Sequence, residues 1–159
     1  KEGDLRSPAG IFELGGVYGT VPVPKKKRSM PYRRITPRDM WVDDPSSPLY
    51  NQHFVLKHDP VTPWEFKQQM KLNDYAHSLK LFIRHNAAGD QGHPVAGGGS
   101  SIFFHIWRRD GQAPTAGCTA MSEENLRAMI AWLDPSKHPL YVLLPSREYL
   151  RLRKAWGLP

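Results

Sequence analysis

The chain has 159 residues, the length of one ordinary domain, and can bury a hydrophobic core without disulfide bonds. Hydrophobic residues make up 40% and charged residues 23% of the chain, as in ordinary globular proteins. No apolar run approaches the roughly 18 residues that a membrane span needs. The net charge of +7 favours a polyanionic partner of any kind, and the single cysteine excludes a disulfide-rich secreted scaffold.

The first third of the chain predicts little regular structure. A short strand is predicted at residues 11–14, after the turn at residues 7–10. Residues 15–50 are rich in proline and glycine and predict a long irregular segment with one brief strand near residues 40–42. The basic run at residues 25–28 reads either as a nucleic-acid patch or as a solvated loop.

The middle of the chain predicts one helix and two strands. Thr62, Pro63 and Glu65 form a capping-box pattern that begins a helix. Strands are predicted at residues 79–85 and 101–107, and a glycine- and proline-rich loop at residues 89–99 lies between them.

The last part of the chain predicts two helices around a core strand. Ser122 caps a helix whose apolar residues recur at helical spacing: Leu126, Met129, Ile130 and Leu133. A strand is predicted at residues 140–144, and a basic helix at residues 146–156 that Gly157 closes. The elements together predict a mostly β domain with helices packed outside.

One cysteine and one histidine carry the candidate chemistry. His105 is expected at the end of a buried strand, and a polar loop then leads to Gly117 and Cys118. A thiol attacks carbonyl groups as the thiolate, so it needs a base within reach and backbone donors for the oxyanion. From these residues alone, a buried structural cysteine beside a hydrogen-bonded histidine is the favoured interpretation, and the catalytic pair is the alternative.

Two landmarks resemble a known family. The opening segment, Lys1-Glu2-Gly3-Asp4-Leu5-Arg6-Ser7-Pro8-Ala9-Gly10-Ile11-Phe12, is similar to a Lys-x-Gly-Asp-x-x-Thr-Pro-x-Gly-x-Phe pattern. His105, a variable loop and Gly117-Cys118 are similar to a His followed by Ser/Thr-His-Gly-Cys. On these residues the chain resembles the YkuD-type L,D-transpeptidase catalytic domain. Further segments resemble a divergent proteobacterial branch of that family: residues 41–45, 50–51, 74–75, 85–86 and 118–122.

The chain departs from the family pattern at two positions beside the cysteine. Ala116 stands where the motif has histidine, and Ala120 stands where it has asparagine or arginine. Both changes bear on which donor and acceptor the site accepts. The chain begins at Lys1 without an initiator methionine, and family members usually have strands before this segment. We therefore expect a processed or trimmed terminus.

The resemblance implies roles for individual residues. Cys118 is expected to be the nucleophile and His105 its base, with the backbone amides of Gly117 and Cys118 as oxyanion donors. A backbone carbonyl, or alternatively Asp110, is expected to orient the imidazole. Residues expected to contact the substrate, with the two arginines suited to its carboxylates, are Arg108, Arg109, Thr115, Tyr75, Asn86 and Ser101.

The resemblance also implies a fold and a reaction. Residues 1–159 are expected to form a single catalytic domain, a mostly β, YkuD-like β-sandwich with flanking helices and α+β content. The expected activity is a peptidoglycan crosslinking transfer through a thioester, in the periplasm or at the cell wall, with no metal or other cofactor and no nucleic-acid partner. The alternatives are hydrolysis at the same cysteine, as an L,D-carboxypeptidase or amidase, and a non-catalytic basic binding module.

Overall fold

The computed structural model describes residues 1–23, 29–88 and 92–159, and it contains a mixed sheet with helices packed around it. The predicted mostly β, α+β fold with flanking helices is confirmed. The basic run at residues 25–28 and the start of the loop at residues 89–99 lie outside the described residues. The strands are β1 (Gly10–Gly19), β2 (Tyr32–Arg34), β3 (Asp39–Trp41), β4 (His53–Val55), β5 (Leu79–Ile83), β6 (Phe103–Ile106), β7 (Thr119–Met121) and β8 (Leu140–Leu143), and the helices are α1 (Pro63–Gln68), α2 (Glu123–Trp132) and α3 (Ser146–Leu152).

The larger sheet has the strand order β2-β1-β5-β6-β7. The first half of β1 pairs with β8, and its second half pairs with β2 on one side and β5 on the other. The β1–β5 and β5–β6 pairs are antiparallel, whereas β6 and β7 are parallel. Strands β3 and β4 form a separate antiparallel pair in the described part of the chain.

Strand β1 is longer than predicted because its glycines lie inside the sheet. The sequence predicts an irregular segment from Gly15 onward, but β1 continues to Gly19. The pairing with β5 shifts register between Leu14 and Val17, which is the position of a β-bulge. A Cβ at Gly15 would lie 2.6 Å from Cδ1 of Phe82, so the glycine admits the aromatic ring from the neighbouring strand.

The sheet buries apolar side chains on both faces. On one face, Leu81 and Phe104 pack with Leu126 and Ile130 of α2. On the other face, a second cluster contains Trp41, Met70, Phe82 and Phe103, and Cys118 packs against it. Because side chains alternate along a strand, the residues of β5 and β6 between those of the first face point to the second. Lys80 and His105 therefore lie on the face that carries the cysteine.

The helix ends follow their sequence signals. The Thr62 hydroxyl accepts from the Glu65 amide, and the Glu65 carboxylate accepts from the Thr62 amide, so the predicted capping box is present. The Ser122 hydroxyl accepts from the Asn125 amide at the start of α2. The last helix ends at Leu152, earlier than predicted.

The strand predicted at residues 140–144 forms, but it is not a core strand. Strand β8 pairs only with β1 among the described strands. Leu140 is exposed and the other residues of β8 are half-buried. Its position at the edge of the sheet explains why an apolar run is not buried here.

Candidate active site

Cys118 follows a tight turn and immediately precedes β7. The Thr115 hydroxyl donates to the Cys118 carbonyl oxygen at 2.6 Å and accepts from the Gly117 amide at 3.3 Å. These two bonds fold residues 115–118 into a compact turn. The Gly117 amide therefore points into the turn, where the Thr115 hydroxyl already accepts its proton.

Gly117 is required by both its backbone conformation and its neighbours. Its φ is +132°, a value that residues with a side chain rarely adopt. A Cβ at this position would lie 2.9 Å from the Arg6 carbonyl oxygen and 3.2 Å from Cδ1 of Ile102. The two landmark segments of the sequence thus meet in space, because the opening segment packs directly against the cysteine turn.

His105 is buried in β6 with one defined tautomer. Its Nδ1 lies 2.7 Å from the Ile106 carbonyl oxygen. A carbonyl can only accept, so Nδ1 carries the proton and Nε2 is free to act as a base in the neutral ring. Burial lowers the pKa of His105 below its ordinary value. The orienting group is this backbone carbonyl, and the alternative, Asp110, lies in an exposed turn after Arg108.

The histidine lies on β6, and the cysteine immediately precedes the adjacent parallel strand β7. In the register of β6 and β7, His105 is opposite Ala120 and Phe104 is opposite Thr119, so Cys118 comes beside Phe103. The Cys118 sulfur accepts from the Phe103 amide at 3.5 Å, and its thiol donates to the Ser101 carbonyl oxygen at 3.4 Å. The thiol must therefore turn away from Ser101 before it can give its proton to the imidazole.

The thiol keeps its proton at rest. Burial raises the pKa of Cys118, while the Phe103 amide and the positive charges of Lys80 and Arg108 act in the opposite direction. Because the pKa of His105 is lowered, the resting pair is a neutral thiol and a neutral imidazole. Proton transfer from sulfur to nitrogen then accompanies attack on a substrate.

A second histidine, His77, packs against His105. The His77 ring stacks on the His105 ring with their centroids 4.7 Å apart. Nδ1 of His77 donates to Asp74 at 2.7 Å, and Arg108 forms an ion pair with the same carboxylate at 2.5 Å. Burial lowers the pKa of His77 to about 4, and the bonds from Arg108 and His77 hold the pKa of Asp74 at about 2. His77 is therefore neutral beside His105.

A cavity of about 170 Å³ opens beside the cysteine. Its walls include Cys118, Ser101, His77, Lys80, Trp41 and Gln68. The sulfur thus borders a space that a substrate group can enter. A larger cavity of about 290 Å³ lies on the other side of the cysteine turn, between the opening segment and Ala116.

Only one of the six expected substrate residues, Ser101, lines the smaller cavity. The Tyr75 hydroxyl bonds to Glu123, and its side chain is 63% exposed. Asn86 instead ties down a loop, since its amide group bonds to the Val95 and Gly99 carbonyl oxygens at 2.9 and 3.0 Å.

The remaining expected substrate residues have other local roles in this structure. Thr115 shapes the cysteine turn. Arg108 is paired with Asp74, which holds it beside the His77 ring. Arg109 is exposed in the turn after β6 and does not line the cavity that contains the sulfur.

Two residues of the site, His77 and Lys80, were not predicted from the sequence. His77 lies in a turn with no motif around it. Lys80 is the one charged residue of the apolar strand β5, and the alternation of β5 places it on the face of His105. A single charge inside a strand of buried residues was the signal that could have pointed to it.

The family comparison agrees with this geometry. The family model of the YkuD L,D-transpeptidase catalytic domain matches residues 1–142. The chain belongs to the YkuD family of L,D-transpeptidase catalytic domains. The match contains both landmark segments, the cysteine turn and seven complete strands. No curated protein and no solved structure matches the chain.

Membership of the YkuD family makes peptidoglycan the general class of substrate and a cysteine acyl transfer the general class of chemistry. Among the described helices, none has the length and apolar character that crossing a membrane requires. Within residues 1–23, 29–88 and 92–159, no three histidine, cysteine or acidic residues come together as metal ligands would.

Proposed function

We propose that this YkuD domain is a peptidoglycan L,D-transpeptidase with Cys118 as its nucleophile and His105 as its base. The substrate is a diaminopimelate-centred amide of a stem peptide, and the acceptor is an amine of a second stem. The reaction crosslinks the cell wall and contributes to cell shape. Residues 1–159 act as one catalytic domain in the periplasm or at the wall.

The reaction has two balanced halves. The Cys118 thiol gives its proton to Nε2 of His105 as the sulfur attacks the amide carbonyl carbon. The carbon–nitrogen bond then breaks, the leaving amine takes the proton from His105, and a thioester remains on the sulfur. The second amine attacks the thioester, loses its proton to His105, and the sulfur leaves as a thiol that regains this proton.

The observation that supports this proposal most directly is the pairing of β6 with β7. In this pairing a buried imidazole with a free Nε2 and a thiol share one sheet face, and the thiol also lines a cavity. Of the two expected oxyanion donors, we assign the role to the Cys118 amide, because the Gly117 amide is engaged by Thr115. The net charge of +7 suits an acidic wall polymer.

The test is incubation with purified diaminopimelate-containing muropeptides, with products read by mass spectrometry. We expect crosslinked dimers from the native protein and none from Cys118→Ala. The alanine variant should unfold at nearly the native temperature, because it removes only one sulfur from a half-buried position. Crosslinked product from a correctly folded Cys118→Ala protein would exclude this nucleophile.

The same experiment separates transfer from hydrolysis. When the reaction runs in ¹⁸O-labelled water, a hydrolytic enzyme puts the label into a new carboxylate, whereas a transferase forms an unlabelled amide. Dimers without label are the expected result. Labelled monomers alone would assign the chain to the carboxypeptidase or amidase activity instead.

A further inference from the structure

Lys80 is a buried cation on the sheet face that carries the cysteine. Its side chain is 4% exposed, and it lies in the centre of β5. In the sheet register it is directly opposite His105 on β6 and Tyr18 on β1. Its Nζ lies 5.5 Å from the centre of the Phe103 ring, and the Phe103 amide donates to the Cys118 sulfur.

The ammonium group of Lys80 has few partners within the protein. Nζ donates to the Met70 carbonyl oxygen at 2.8 Å, and it forms no ion pair with a carboxylate in the described residues. A buried ammonium without a carboxylate is costly, because water no longer solvates the charge. Burial accordingly lowers the pKa of Lys80 to about 8, and negative charge on Cys118, once its thiol ionises, and on Asp74 acts against this shift.

Both Lys80 and Cys118 line the cavity of about 170 Å³. The charged and titratable groups that surround Lys80 and the sulfur come from several elements: Tyr18, Asp43, Lys67, Asp74, His77, His105 and Arg108. Asp74 is already paired with Arg108, and Asp43 pairs with Lys67 at 3.3 Å. Neither carboxylate therefore forms a direct ion pair with Lys80, although the charge of Asp74 favours its protonated form.

We propose that Lys80 is the counter-charge of the Cys118 sulfur: its buried ammonium stabilises the negative charge that the sulfur carries once His105 has taken the proton. The inference rests on the proposed role of Cys118. It makes Lys80 a positioning residue that acts through the sulfur, and it explains why a lysine occupies a strand of buried apolar residues.

The test compares thiol alkylation in the native protein and in Lys80→Met, which removes the charge but keeps an unbranched side chain. With iodoacetamide at pH 7, we expect about tenfold slower alkylation of Lys80→Met, because a nearby opposite charge shifts a pKa by about one to three units. The two rates should converge near pH 10, where Lys80 has lost its proton. Lys57→Met removes the same charge from an exposed position outside the cavity and should react like the native protein.

Iodoacetate is negatively charged, whereas iodoacetamide is neutral. Comparing the two reagents shows whether the charge of Lys80 acts on the thiolate or on the reagent. If Lys80 stabilises the thiolate, removing its charge slows the alkylation of Cys118 by both reagents. If Lys80→Met slows iodoacetate alone, the charge attracts the reagent and the inference is overturned. Equal pH profiles for native protein and variant would also overturn it. Complete resistance of the native thiol to both reagents would instead contradict the proposed nucleophile.

A reciprocal measurement does not depend on how Lys80→Met folds. Two groups that stabilise each other's charge do so equally in both directions. The pKa of Lys80, followed by NMR of the isotopically labelled side chain, should therefore be higher in Cys118→Asp, which carries a permanent negative charge at this position, than in Cys118→Ala. Equal pKa values of Lys80 in the two variants would show that a negative charge at position 118 does not act on the ammonium, and would overturn the inference.

Discussion

At the scale of single residues, the buried imidazole of His105 predicts the pH dependence of the reaction. Burial lowers its pKa below the ordinary value of 6.5, so the imidazole is half protonated only at a pH below that value. We therefore expect the acid limb of kcat/KM to have its midpoint below pH 6.5. His105→Gln should lower the rate about a hundredfold to ten-thousandfold, since general-base help is worth that much.

A pH–rate profile of the transfer reaction checks this prediction. The residual activity of His105→Gln should no longer show the acid limb, because the titrating group is gone. A native midpoint above pH 6.5 would mean that the base is a more exposed group than this imidazole.

Gly117 predicts a local effect of steric strain. Gly117→Ala places a methyl group 2.9 Å from the Arg6 carbonyl oxygen at a φ of +132°. We expect a loss of about 1–3 kcal/mol in the free energy of unfolding and a displaced cysteine turn. Urea denaturation measures the first effect, and the iodoacetamide rate of Cys118 measures the second.

Gly157→Ala is the matched control for this prediction. Gly157 also has a positive φ, of +63°, but a Cβ there would meet nothing within 4 Å. The control should lose some stability without any change in thiol reactivity. If both variants behave alike, the contact with Arg6 does not hold the cysteine turn.

At the scale of elements, the N-cap of α2 predicts a measurable contribution to stability. The Ser122 hydroxyl accepts from the Asn125 amide at 3.2 Å. Ser122→Ala should cost about 1 kcal/mol in the free energy of unfolding, the usual value for a lost cap. Ser146→Ala, at the start of α3, should cost much less because no side chain caps that helix. Denaturation midpoints of the two variants test the difference.

The elements that the sequence predicted well are those with local signals. The capping patterns at Thr62 and Ser122 depend on hydrogen bonds between residues three apart, so both helix starts are visible in the sequence. The full length of β1 cannot be predicted from the local sequence, because Gly15 lies inside the strand to make room for the Phe82 ring on another strand. The exposure of β8 depends in the same way on the order of strands in the sheet.

The residues of the site show the same difference between local signals and contacts made by the fold. His105 and Cys118 stand out by residue type and motif, and in the structure His105 lies on β6 while Cys118 immediately precedes the neighbouring strand β7. The expected substrate residues came from the family resemblance, and most of them bond elsewhere: Tyr75 to Glu123 and Asn86 to Val95 are two cases. Side-chain direction and loop closure decide these contacts, and neither follows from local sequence.

At the scale of the whole molecule, buried basic groups predict how stability changes with pH. The pKa of Lys80 falls from 10.5 in the unfolded chain to about 8 in the folded protein. Between these values the unfolded chain binds more protons, so stability rises as the pH increases from 8 to 10.5. The penalty below pH 8 is about 3 kcal/mol at 1.36 kcal/mol per pKa unit.

Urea denaturation at pH 7 and pH 10 measures this effect. Lys80→Met should be at least as stable as the native protein at pH 7, and the two should differ less at pH 10. His77 acts in another window: its pKa falls from 6.5 to about 4, so it removes stability as the pH falls through that range. A Lys80→Met protein that is less stable at pH 7 would contradict the predicted penalty.

The contact between Arg6 and Gly117 also affects when the Cys118 thiol becomes protected during folding. The cysteine turn rests on the opening segment, and β1 closes the sheet against β8 near the other end of the chain. Such distant pairings form late, because the long loops between them must close first. During refolding, a maleimide pulse should therefore label Cys118 rapidly until the sheet closes and slowly thereafter. The sulfur then becomes protected from the reagent in the same step in which the sheet forms.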